Sequence, residues 1–233
     1  MSFLNAEWRK LALANYEVDP VILEKYIPPK TELDLWNGAC YVSLVGFMFL
    51  KTKLLGLPIP FHRTFEEVNL RFYVKHFDGE KWKRGVVFIK EIVPKPALTF
   101  VANTIYKEHY ETLKMSHSWQ EKRESQVVEY TWTKNRTQHS FKVEAELKQT
   151  KIEKKSETEF ITEHYWGYTK LNQSQSLEYE VTHPTWNTYS VKQHNIDVNF
   201  GSVYGSDFEF LNGMKPKSVM LAEGSEITVE NKN

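Results

Sequence analysis

The segment Phe61-His-Arg-Thr-Phe-Glu-Glu-Val-Asn-Leu-Arg-Phe-Tyr-Val74 carries the pattern that sets the fold class. From Glu67 onward it alternates: Glu67, Asn69, Arg71 and Tyr73 share one parity, and Val68, Leu70, Phe72 and Val74 share the other. Successive side chains of a strand point to opposite faces, so this is a β-strand with one apolar face and one face bearing an acid, an amide and a guanidinium. On a solvated sheet those polar groups would sit in water or in a structural ion pair. Turned to the inside of a barrel, they would furnish a small-molecule site. The alternation fits both placements.

Working outward, the flanking segments are also strand-like. Residues 9–18 alternate, although Ala12 and Ala14 suit a helix equally well. Asp19-Pro20 then opens a short helix, with Asp as N-cap, Pro in the first turn, and Val21, Leu23, Tyr26 and Ile27 on its buried side. Pro28-Pro29 ends it, residues 33–36 form a short strand, Asn37-Gly38 is a hairpin turn, and residues 39–50 form a long strand. Downstream, Phe77-Asp-Gly-Glu80 turns the chain back into a strand over residues 85–92, stopped by Pro94 and Pro96. Residues 98–105 read as a strand entering a helical turn, and residues 110–122, 126–134 and 139–149 as a three-strand meander. A helix is expected over residues 158–168, closed by Gly167, and strands over 177–183 and 188–198. A short helix with loops is expected over 200–211, and a final strand pair over 217–229, turning at Glu223-Gly224-Ser225. No repeat or linker divides the chain, so residues 1–233 are expected to form a single domain.

The chain has 14 Phe, 12 Tyr and 7 Trp, a content that favours strands with large packed side chains. Lys plus Arg and Asp plus Glu balance at 30 each, which argues against nucleic acid or an anionic membrane as a partner. Cys40 is the single cysteine and lies in an apolar run, so a buried, inert thiol is expected. The first ten residues lack the basic start and apolar core of a signal peptide, and the longest apolar stretch, 39–50, is too short to span a bilayer. A cytoplasmic protein is expected.

Phosphate loops, zinc-protease and nucleophile-elbow motifs and dinucleotide fingerprints are absent from the sequence. His109 and His117 share strand parity but would lie about 27 Å apart on a straight strand, too far to share a metal. No metal and no cofactor are expected. His164, next to Glu163, is read as a packing or capping histidine. In a pocket, Arg71 would hold a carboxylate or enolate through paired hydrogen bonds, Glu67 would orient or move a proton, and Arg63 could reach the same site.

Several segments, in order, carry a resemblance. These are Pro58-Ile-Pro-Phe-His-Arg-Thr-Phe-Glu-Glu-Val-Asn-Leu-Arg-Phe-Tyr-Val74, Arg84-Gly-Val-Val-Phe88, Tyr106, Tyr110 and Met115, Glu163-His-Tyr-Trp-Gly-Tyr168, and Tyr179-Glu-Val-Thr-His-Pro-Thr-Trp186. Together they resemble the YqjF-like family of uncharacterised bacterial proteins, similar in fold to acetoacetate decarboxylase. The resemblance implies a mainly β (α+β) protein: an antiparallel, closed, cone-like β-barrel with a flanking sheet and a few short helices. The decarboxylase uses a lysine Schiff base whose amine pKa is lowered by a neighbouring cation. At the corresponding place, Lys107-Glu-His-Tyr-Glu111, Tyr110 stands where the nucleophile would be, and Lys107 has no adjacent Lys or Arg. Glu67 is similar in context to the decarboxylase's pocket glutamate.

The reading is therefore a small-molecule-binding protein for organic-acid-like ligands, with Glu67, Asn69, Arg71 and Tyr110 as ligand-binding candidates and Glu67 and Lys107 as catalytic candidates. A decarboxylase-like lyase working through Lys107 is the enzymatic alternative, and a non-catalytic structural or interaction protein the third. Oligomer formation is left open.

Overall fold

The computed structural model describes residues 2–105 and 107–232. Tyr106, one of the residues carrying the resemblance, lies outside the described residues. The chain begins with β1 (Leu4–Val18), β2 (Glu32–Leu33), β3 (Cys40–Leu54), β4 (Leu57–Pro58), β5 (Phe65–Phe77) and β6 (Trp82–Val93). Helix α1 (Pro96–Ile105) leads into β7 (Tyr110–Thr112), β8 (Lys114–Glu121), β9 (Gln126–Lys134) and β10 (Thr137–Lys151). Helix α2 (Glu157–Thr162) precedes β11 (Trp166–Lys170), β12 (Ser176–Thr182) and β13 (Asn187–Asp197). Helix α3 (Phe200–Tyr204) and a 3-10 turn (Ser206–Leu211) precede β14 (Ser218–Lys232).

The protein is mainly β, with few helices. The central strand β5 lies between β3 and β6, antiparallel to both. Pairings run β1–β3–β5–β6–β11–β12–β14, and β14 pairs in turn with β1. From β14 the sheet also continues through β13, β10 and β9 to the edge strand β8. The two parallel contacts both use β6: its start takes β11 and its end takes β7.

The two faces of β5 pack into different cores. Val68, Leu70, Phe72 and Val74 join Val128, Tyr130 and Trp132 of β9 and Phe141 and Val143 of β10, so this face is covered by the continuing sheet. The other face joins a second cluster with Leu11 and Leu13 of β1, Val45 and Phe47 of β3, Val181 of β12 and Met220 and Ala222 of β14. Each such side chain taken from water contributes about 1.5–3 kcal/mol, which fixes the register of β5 through its apolar parity.

Local signals held at several places. Asp19 caps a 3-10 helix over Pro20–Tyr26 by accepting from the Val21 N–H. Within that helix Leu23 is buried, but Val21 is 66% exposed rather than on the buried side. Asn37 (φ 49°) and Gly38 (φ 83°) form the expected tight turn, closed by the Trp36–Ala39 bridge.

Three expectations are corrected. Residues 98–105 belong to α1 rather than a strand, because Pro96 sits in the first helical turn, where its missing N–H costs nothing and its fixed φ suits the helix. The helix expected over 158–168 stops at Thr162. Trp166 and Gly167 instead pair with Gly85 and Val86 on the open edge of β6, so sheet hydrogen bonds override helical spacing. The strand pair expected around Gly224 is one continuous strand, bent at Gly224 (φ 82°) opposite Arg9.

Cys40 is free and 3% exposed, and burial pushes its thiol up to about 11. Native protein should therefore resist thiol reagents that label the unfolded chain within minutes. Cys40→Ser should lower stability by about 1–3 kcal/mol, the cost of a buried hydroxyl without a partner, measured by urea unfolding.

Candidate functional site

The second face of β5 is where the polar residues gather. In the sheet register Asn69 stands opposite Glu91 of β6, and Glu91 stands beside Tyr110 of β7. In-register neighbours share a face, so an amide, a carboxyl and a phenol form a row across three strands. Tyr110 is fixed from behind by α1: Asn103 Nδ2 donates to the Tyr110 carbonyl, and Asn103 Oδ1 accepts the Tyr110 N–H, both at 2.8 Å.

Glu67, 2% exposed, lies one step along β5. Its carboxylate accepts from Asn69 Nδ2 at 2.9 Å and from the Tyr110 hydroxyl at 3.5 Å, the latter at the limit of a hydrogen bond. Burial raises its pKa to about 7, against the opposing pull of Asn69, Arg71 and Tyr110. Glu91, 3% exposed, is raised well above the ordinary carboxylate range by burial and then by the charges of Glu67 and Glu108, and its Oε2 has no hydrogen-bond partner. Glu108, which accepts the Thr169 hydroxyl, is raised to about 7 by burial. Tyr110 and Tyr179 are pushed up by burial and by these same carboxylates. The Tyr179 ring lies over Gly167, its register partner on β11; a Cβ there would come 2.1 Å from Tyr179 Cζ, so the ring needs the glycine. The acids of the site are thus harder to ionise than ordinary carboxyls.

Arg71, 8% exposed, is the one buried Lys or Arg among the described residues. Its guanidinium carbon is 5.7 Å from the Tyr73 ring centre. Among the described residues it makes no ion pair, and its Nε has no hydrogen-bond partner. Asn69 Oδ1 is likewise unpartnered.

The structure therefore brings together Glu67, Asn69, Arg71 and Tyr110. Lys107 is exposed, in a left-handed conformation (φ 56°), and Arg63 is exposed in the loop before β5. His164 packs against Tyr73, and its Nε2 lies 3.2 Å from both Asp34 Oδ2 and Arg84 Nη2. Burial lowers its pKa to about 4, so it is a neutral packing histidine. Sequence reasoning missed Glu91, Glu108 and Tyr179. For Glu91 a signal existed, since it is an acid inside an apolar strand, where a lone charge is seldom buried without purpose. The two open surface depressions, beside Lys25 and Asp207 and beside Glu17 and Lys217, are lined by none of these residues.

The mainly β chain has an acetoacetate decarboxylase-like fold. Acetoacetate decarboxylase from Legionella pneumophila superposes with a TM-score of 0.65 at 12% identity, over 98% of this chain and 85% of that one. An acetoacetate decarboxylase-like enzyme from Sphingomonas wittichii RW1 gives 0.63 at 11% identity, over 100% and 94%. The enduracididine biosynthesis enzyme MppR, complexed with the condensation product of pyruvate and imidazole 4-carboxaldehyde, gives 0.63 at 12%, over 98% and 87%. At such identities the likeness is one of fold. The chain belongs to the DUF2071 family of uncharacterised conserved proteins, which it matches over residues 5–226. It is 38% identical over 82 residues to the uncharacterised protein YqjF of Bacillus subtilis (strain 168), a match spanning 35% of this chain and about a third, 32%, of YqjF. Among the described residues no helix is long and apolar enough to cross a membrane.

Proposed function

We propose that this is a cytoplasmic small-molecule-binding protein. In this reading the seven strands from β1 to β14 that pair around to their start form a closed, cone-like barrel, and β8, β9, β10 and β13 flank it. The interior receives a small organic carboxylate, which Arg71 holds through two parallel hydrogen bonds, while Glu67 and Tyr110 orient it or exchange a proton with it.

One observation carries the reading. Arg71 is buried, and although its charge favours ionised Glu67, no carboxylate among the described residues meets it in an ion pair. A buried guanidinium that no carboxylate contacts is costly, and a bound carboxylate would relieve that cost. The Schiff-base alternative has less support, because Lys107 is exposed and no lysine is buried among the described residues. Borohydride treatment with pyruvate or acetoacetate should leave the protein mass unchanged; a stable adduct on Lys107 would reinstate a decarboxylase-like mechanism.

The direct test is Arg71→Met, with pyruvate, acetoacetate and acetate titrated by calorimetry. Binding by the wild type should be lost in the variant. The melting temperature should change little, since the substitution breaks no ion pair and Glu67, whose ionised form Arg71 favours, can take up a proton. Carboxylate binding that survives the substitution would refute the role of Arg71.

A further inference from the structure

Acidic groups crowd the neighbourhood of Arg71. Glu67, Glu91 and Glu108 all act electrostatically on Tyr110, and Arg71 is the only buried Lys or Arg among the described residues. A simple monocarboxylate bound to Arg71 would add a fourth acid to this group. The unpartnered atoms point the same way. Asn69 is 1% exposed and spends its Nδ2 on Glu67, so its free Oδ1 can only accept. Glu91 Oε2, in the register position opposite, is also free and accepts once ionised. With Glu91 ionised, the two are buried acceptors side by side, matched by a donor with more than one proton to give.

We infer that the ligand is a short zwitterion, with its carboxylate on Arg71 and an ammonium or other nitrogen cation on Glu91 and Asn69. This rests on the carboxylate reading of Arg71 and narrows it. An ammonium group supplies three donors, enough for Asn69 Oδ1 and Glu91 Oε2 together, and its charge favours the ionised form of Glu91. The ligand must be short, because Asn69 and Arg71 are alternate residues on one face, about 7 Å apart along the strand. Burial disfavours ionised Glu91 in the free protein and the ligand's cation favours it, so binding releases protons.

The test is calorimetric titration at pH 7 with glycine, β-alanine and 4-aminobutanoate, each against acetate, propanoate or butanoate of the same length. The best amino acid should bind at least about ten-fold more tightly than its matching carboxylate, a difference of about 1.4 kcal/mol. Glu91→Gln should bring the two together. Repeating the wild-type titrations in phosphate and in Tris should show net proton release for the amino acid and none for the carboxylate, a readout independent of how the variant folds. Equal affinity in the two series, or no proton release, overturns this inference and leaves the role of Arg71 standing. Failure of every compound in both series to bind overturns the two together.

Discussion

Glu67→Gln should gain on the wild type by about 2–3 kcal/mol as the pH is raised from 5 to 8. Burial lifts the Glu67 carboxyl from 4.5 to about 7 in the folded protein. A group whose folded pKa is raised adds stability that is fully present below its unfolded pKa and is lost as the pH climbs through the folded value. For Glu67 that window runs from about 4.5 to 7. At about 1.4 kcal/mol per pKa unit, nearly the whole contribution is gone by pH 8, whereas a glutamine neither gains nor loses it. His164 works in the opposite sense. Its lowered pKa of about 4 gives stability that is present above 6.5 and lost as the pH falls, which flattens the wild-type profile. His164 is common to both proteins, so it cancels in the difference. Thermal melts at the two pH values should move apart by roughly 5–10 °C, given about 2–4 °C per kcal/mol for a chain of this size. Parallel profiles would place the Glu67 carboxyl in solvent.

Gly224→Ala should cost about 2–5 kcal/mol. Gly224 has φ 82°, and a Cβ there would lie 2.0 Å from the Trp8 carbonyl oxygen and 2.7 Å from its carbon. The left-handed conformation alone costs about 1–2 kcal/mol for a residue with a Cβ. The overlap adds overpacking of about 1–3 kcal/mol, because backbone atoms have no rotamer into which to retreat. Gly38→Ala is the control: its φ is 83°, and nothing lies within 4 Å of the Cβ it would gain. Urea unfolding should show Gly38→Ala losing only the conformational share. Equal losses in the two variants would mean that β1 and β14 part easily at this point.

What the sequence disclosed follows from the range of the forces involved. The β5 alternation, the Asp19 cap and the Asn37-Gly38 turn are settled within a few residues, and each was legible. The fate of residues 163–168 was not, because the β6 edge they pair with lies about eighty positions earlier in the chain and competes with a plausible helical spacing. Within the site, the β5 residues and Tyr110 could be named, the first from parity and the second from resemblance. Glu91 sat in the strand read over residues 85–92, whose mostly apolar run has no alternation to single it out. Glu108 joins the site only because the chain turns at Lys107 and a threonine from β11 meets it there. That no carboxylate contacts Arg71 is a statement about every neighbouring strand at once, and no local pattern contains it.

The pairing of β1 with β14 joins Leu4 to Val229 and Asn15 to Ser218. During synthesis the first strand leaves the ribosome some two hundred residues before its partner, a wait of roughly 10–40 s at ordinary translation rates. Until then one edge of β1 has open hydrogen-bonding groups, beside the apolar side chains of Leu11 and Leu13. On a crowded message, the β14 of one nascent copy can reach the waiting β1 of another, the geometry of a strand-exchanged dimer. The seam is a weak point in time more than in energy, so slowing translation of Ser218–Lys232 should raise misassembly without altering the finished protein.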